Sequence, residues 1–167
     1  LLETSITKHR SGVAGLAQSG RMEESEHIAP AEIGKLLGIL RKHYDRVIVD
    51  GVRGFDEMSL AALDASQVLL MVLTQDVPAV RNAQRCLELF GRLGYDQQKV
   101  KLILNRYHKA SNITLEVVAY TLKDPVAHTT TTHFASTIDP INPGAPRVRP
   151  PPRDAVPPAL PPPAPPR

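Results

Sequence analysis

Tryptophan is absent from this 167-residue chain, and aromatic residues of any kind make up 4% of it. So few rings speak against the stacking platforms on which proteins lay single-stranded nucleic acid. Cysteine occurs once, at Cys86, which excludes an internal disulfide framework and fits a reducing compartment. The longest apolar run, Val68 to Leu73, is far shorter than the roughly 20 residues of a membrane-spanning helix. No basic-then-apolar signal segment opens the chain, so a cytoplasmic setting is expected. Leu1 stands where a methionine would begin a protein, and an upstream segment is therefore expected.

An excess of basic charge is also missing from the body. Residues 1–142 carry 16 Lys plus Arg against 16 Asp plus Glu, so the net charge of +3 comes from Arg147, Arg149, Arg153 and Arg167 against Asp154. A nucleic-acid-binding domain usually shows a basic face or stripe, so no nucleic-acid partner is favoured. The same last 25 residues hold 12 of the 16 prolines. Proline donates no amide hydrogen bond and fixes its own φ, so residues 143–167 are expected to form a disordered or polyproline tail. That tail is either a ligand for a proline-binding module or an unstructured end.

What is present alternates between strand and helix patterns. Pro30 suits the first turn of a helix, and Ile33, Leu36, Leu37 and Leu40 follow at spacings that predict an amphipathic helix to His43. Arg46-Val-Ile-Val-Asp50 reads as a short β-branched strand. Asp56 to Leu63 reads as a helix, and Val68 to Thr74 as a fully buried strand. Pro78 opens the clearest helix, with Ala79, Ala83, Cys86, Leu87, Phe90 and Leu93 on one face and Gly94 as the stop. Val100 to Asn105 is the next strand, Thr114 to Leu122 a helix, Pro125 to Thr129 another strand, and a last short helix is expected near His133. Alternation of this kind predicts an α/β fold, a parallel sheet with helices on both faces. Ligands of such sheets sit at the carboxyl ends of the strands.

Two strand ends carry candidate chemistry. Asp50, closing an apolar strand, is a suitable water-mediated partner for Mg²⁺, and the backbone amide of Gly54 can approach a phosphate. An ordinary aspartate in a strand-to-helix loop explains the same residues. Asn105 offers a donor and an acceptor in one plane, matching a nucleobase edge, although a turn asparagine would look the same. Thr74-Gln-Asp-Val-Pro78 sets polar atoms and a helix start at that edge. The six histidines and Cys86 show no metal-site spacing, and no Gly-x-Ser-x-Gly elbow or cysteine–histidine pair suggests covalent catalysis.

Tyr44-Asp-Arg-Val-Ile-Val-Asp50, Ala61-Ala-Leu-Asp64-Ala-Ser, Asp76-Val-Pro-Ala-Val-Arg-Asn-Ala83, Leu93-Gly-Tyr and Leu102-Ile-Leu-Asn-Arg-Tyr107 follow one another in an order that resembles one family. It is the CpaE/TadZ-type family of Flp (Tad) pilus assembly, within the MinD/ParA class of deviant P-loop ATPases. Pro125-Val-Ala-His and Phe134 to Pro146 resemble its last strand and helix, so the likeness covers residues 1–146. The resemblance implies that Asp50 is the Walker B-like aspartate, Gly54 the switch glycine, and Asn105 with Arg106 the adenine contacts. It also implies an ATP- and magnesium-binding homodimer that acts with pilus or secretion machinery. Val52, Pro140 and Pro143 depart from the family pattern. No Gly-rich Lys-Gly-Gly-x-Gly-Lys-Thr-like loop occurs in the sequence. The chain is accordingly expected to be the C-terminal part of such an ATPase domain, to bind no nucleotide by itself and to be inactive alone. A partitioning or division-site ATPase of the same class, and a non-catalytic interaction module, are the competing expectations.

Overall fold

A computed structural model describes residues 5–9, 11–17 and 28–131. The chain divides into two compact units, residues 1–69 and 70–167. The helix expected near His133 and the proline-rich 143–167 lie outside the described residues.

In the first unit, β1 (Thr7–Lys8) and β2 (Ala14–Gly15) pair antiparallel, Thr7 opposite Gly15. Gly12 turns the hairpin at φ +89°, a region that glycine enters without steric cost. Helix α1 runs Pro30–His43, the limits that the periodicity predicts. The Glu32 carboxylate reaches back to accept a hydrogen bond from the Ala29 amide at 2.8 Å, so one orphan donor at the helix start is satisfied. Arg41, Lys42 and His43 in its last turn complement the negative end of the helix dipole. Helix α2 (Glu57–Ala65) packs on α1. Asp56 caps α2, accepting from the Ser59 amide at 2.9 Å.

The strand expected over Arg46–Asp50 is not formed: residues 46–53 have no regular structure, and Ile48 is 85% exposed. β-branched side chains favour an extended backbone, but a strand exists only when a neighbour completes its ladder of hydrogen bonds. None of the described residues supplies one.

The second unit holds a parallel three-stranded sheet in the order β3 (Leu69–Thr74, begun at the junction), β4 (Val100–Tyr107), β5 (Val126–Thr131). Between the strands come α3 (Val77–Arg92) and α4 (Leu115–Leu122). The core gathers Leu73, Leu102 and Leu104 of the sheet with Val80 and Ala83 of α3 and Val118 and Leu122 of α4. Leu102, Leu104 and Val118 are fully enclosed, and each such side chain removed from water stabilises the fold by about 1.5–3 kcal/mol. Strand β3 is buried on one face only. Leu69 and Leu73 are inside, whereas Leu70 is 53% and Val72 58% exposed, so the fully buried strand expected there is corrected to a half-buried one.

Candidate functional site

The carboxyl ends of the three strands of the second unit bring polar groups together. Asn105 lies near the end of β4, where the β4–β5 register shifts between Leu104 and Tyr107. The next residue, Arg106, adopts φ +55°, a left-handed conformation that an arginine occupies only when its surroundings hold it. Two donors converge on the Asn105 side-chain oxygen: the Arg106 amide at 2.9 Å and the Thr130 hydroxyl of β5 at 2.6 Å. A carbonyl oxygen has two lone pairs, so this one is saturated. Asn105 is left with its NH₂ group alone, and the paired donor–acceptor edge expected from its residue type is reduced to a donor.

Gln75, just past β3, spans two further segments. Its side-chain oxygen accepts from the His108 amide at 2.6 Å, and its NH₂ donates to the Ile113 carbonyl at 2.9 Å. The loop that leaves β4 is thereby tied to the end of β3. Asp76 begins α3, accepting from the Ala79 amide at 2.8 Å and from the Thr74 hydroxyl. The Thr74 hydroxyl, followed by the Ala79 amide, lowers its carboxyl below the ordinary value. A cleft of about 360 Å³ lies between α3 and the sheet, lined by Met71, Thr74, Ala79, Asn82, Cys86 and Asn105 among others. Cys86 is half-buried there, and burial raises the pKa of its thiol.

In the first unit, Asp50 and Gly54 share one irregular segment. Asp50 is exposed, and among the described residues its carboxylate accepts from the adjacent Gly51 amide at 2.8 Å. Gly54 is close to the α2 cap: a Cβ built on it would stand 3.3 Å from the Asp56 carboxylate, so its small size serves the turn. Among the described residues, no three His, Cys, Asp or Glu side chains converge as a metal would require.

A magnesium nucleotide needs several amide and cationic donors around its phosphates. Asp50 and Gly54 provide no such set, and the sequence has no lysine-containing glycine-rich loop. The residues present therefore do not fit the phosphate end. The NH₂ group of Asn105 is one donor suited to a base. Sequence reasoning singled out Asn105 and Arg106 by their place at a strand end. It missed Thr130, whose partner is 25 residues away and is reached only through the sheet register. Residue type carries no signal for that contact.

Strand order, crossover helices and polar strand ends define the class: the chain has the fold of the MinD/ParA ATPases. No family model matches it. The solved structure of a ParA family ATPase from Chlorobium tepidum TLS superposes with a TM-score of 0.81 at 20% identity, over 88% of this chain and 61% of that one. The septum site-determining protein MinD of Pyrococcus horikoshii OT3, complexed with Mg-ADP, gives 0.72 at 17% identity, over 89% of this chain and 60% of that one. In sequence, the septum site-determining protein MinD of Thermotoga maritima is 25% identical over 112 residues, 64% of this chain and 41% of that protein. The chain thus spans about two fifths of that curated relative and about three fifths of these solved structures. No helix among the described residues is long and apolar enough to cross a membrane.

Proposed function

We propose that this chain is part of a MinD/ParA-type ATPase that localises and helps assemble pilus or secretion machinery, acting as a nucleotide-dependent homodimer. The observation that carries this reading is the position of two motifs of the pilus-type resemblance. Asp76-Val-Pro-Ala-Val-Arg-Asn-Ala83 starts α3 and Leu102-Ile-Leu-Asn-Arg-Tyr107 ends β4, both at the carboxyl edge of one parallel sheet. In this reading Asn105 and Arg106 face the base, and Asp50 and Gly54 belong to the phosphate and magnesium end. That end is completed by residues outside this sequence. A second reading, a division-site or partitioning ATPase, is favoured by the likeness in sequence to MinD.

Two measurements test the proposal. The isolated chain is expected to show no Mg²⁺-dependent ATP hydrolysis, because charge developing on a transferred phosphoryl group would lack its donors. Turnover that Asp50→Ala abolishes would overturn this. Deletion of the gene encoding the chain should abolish surface pili or secretion and leave division and chromosome segregation normal. Minicells or anucleate cells would establish the second reading instead.

A further inference from the structure

An irregularity in the sheet shapes the end of β4. Leu104 pairs with Thr129 and Tyr107 with Thr131, so two residues of β4, Asn105 and Arg106, stand opposite one residue of β5, Thr130. An extra residue of this kind makes a bulge, which bends its strand and re-aims the neighbouring side chains. Arg106 absorbs the extra length at φ +55°. Beyond it, Tyr107 is paired to β5 and the His108 amide is held by the Gln75 side chain, so the conformation is fixed from both sides. The Arg106 amide and the Thr130 hydroxyl then occupy both lone pairs of the Asn105 oxygen, at 2.9 and 2.6 Å. A backbone amide can only donate, so the atom it meets is the oxygen, and the NH₂ group is what Asn105 has left to offer.

We propose that Thr130 is a specificity-determining residue. By occupying the oxygen of Asn105 it leaves a donor-only contact, which takes a purine through its N7 acceptor and does not select adenine. The inference rests on the reading of Asn105 as a base contact, and it names the bases that this contact admits. An asparagine selects adenine when its NH₂ donates to N7 and its oxygen accepts from the 6-amino group. Here that oxygen is already engaged. Hypoxanthine and guanine carry an oxygen at position 6, and their N7 accepts as adenine's does. With the Thr130 hydroxyl removed, the freed lone pair would accept from the amino group of adenine. It would confront the 6-oxygen of the other two with no proton between them, and discrimination would appear.

The test uses the full-length product of the gene encoding this chain, in which the proposed phosphate end is complete. Equilibrium binding of Mg-ADP, Mg-IDP and Mg-7-deaza-ADP is measured by calorimetry. The unaltered protein is expected to bind the first two within about threefold of each other and the third about tenfold more weakly. Thr130→Val should then prefer Mg-ADP over Mg-IDP by about tenfold. Thr130→Ser keeps the hydroxyl and should behave as the unaltered protein does. Three outcomes overturn the inference and leave the base reading standing: a tenfold preference for Mg-ADP before any substitution, indifference to the loss of N7, or a Thr130→Val ratio that does not move. If none of the three nucleotides binds, or if Asn105→Ala binds them unchanged, the base reading itself fails and the inference falls with it.

Discussion

Asp76 holds the start of α3 with one carboxylate, and the Thr74 hydroxyl and Ala79 amide bind its charged form. Groups that favour the charged form lower the pKa in the folded state relative to the unfolded one. The sign follows: this contribution is fully present above the ordinary carboxylate range and is lost as pH falls through the lowered folded value. Asp56, lowered chiefly by the Ser59 amide, acts in the same direction on α2. Thermal melts between pH 6 and pH 2 should show stability falling in the acid range. Asp76→Asn keeps an N-cap but removes the titrating group, so it should flatten part of that fall. An unchanged profile in the variant would mean that the cap contributes nothing through its charge.

Between elements, contrast lies in what covers each apolar run. Leu104 in β4 is fully buried, whereas Ile48 in the run before Asp50 is 85% exposed. Leu104→Ala should cost about 2–5 kcal/mol, and Ile48→Ser should stay within about 0.5 kcal/mol. Denaturant titration of both variants measures the difference. Equal losses would mean that Ile48 is packed in solution. The same contrast separates what the sequence discloses from what it conceals. Helix α1 was legible because Pro30, the Ile33–Leu40 spacing and the basic last turn act within a single element. α3 was legible for the same reason, as were the strands on either side of it. Val47–Asp50 was misread because its residue types describe a strand without naming a neighbour. Leu70 and Val72 were misread as buried because an unbroken apolar run does not say how many of its faces are covered. Asn105 could be found by its place at a strand end, but the loss of its acceptor depends on Thr130, which only the β4–β5 register brings near.

For the molecule as a whole, apolar surface left in water is the main liability. Ile48, Val49, Val52 and Phe55 in the first unit, and Leu70 and Val72 in the second, are each at least 38% exposed. β3 also has a strand neighbour on one side only among the described residues. Exposed apolar patches and open strand edges recruit other chains. The isolated chain is therefore expected to self-associate in light scattering and to melt with low cooperativity. A monodisperse monomer with a sharp transition would contradict this.

Cys86 gives α3 a chemical clock. Its thiol is the only one in the chain, half-buried on the sheet side of the helix, and its proton is retained by burial. The reactive species is the thiolate. Burial therefore slows a thiol reagent at neutral pH, and its rate of uptake reports how open the cleft between α3 and the sheet is.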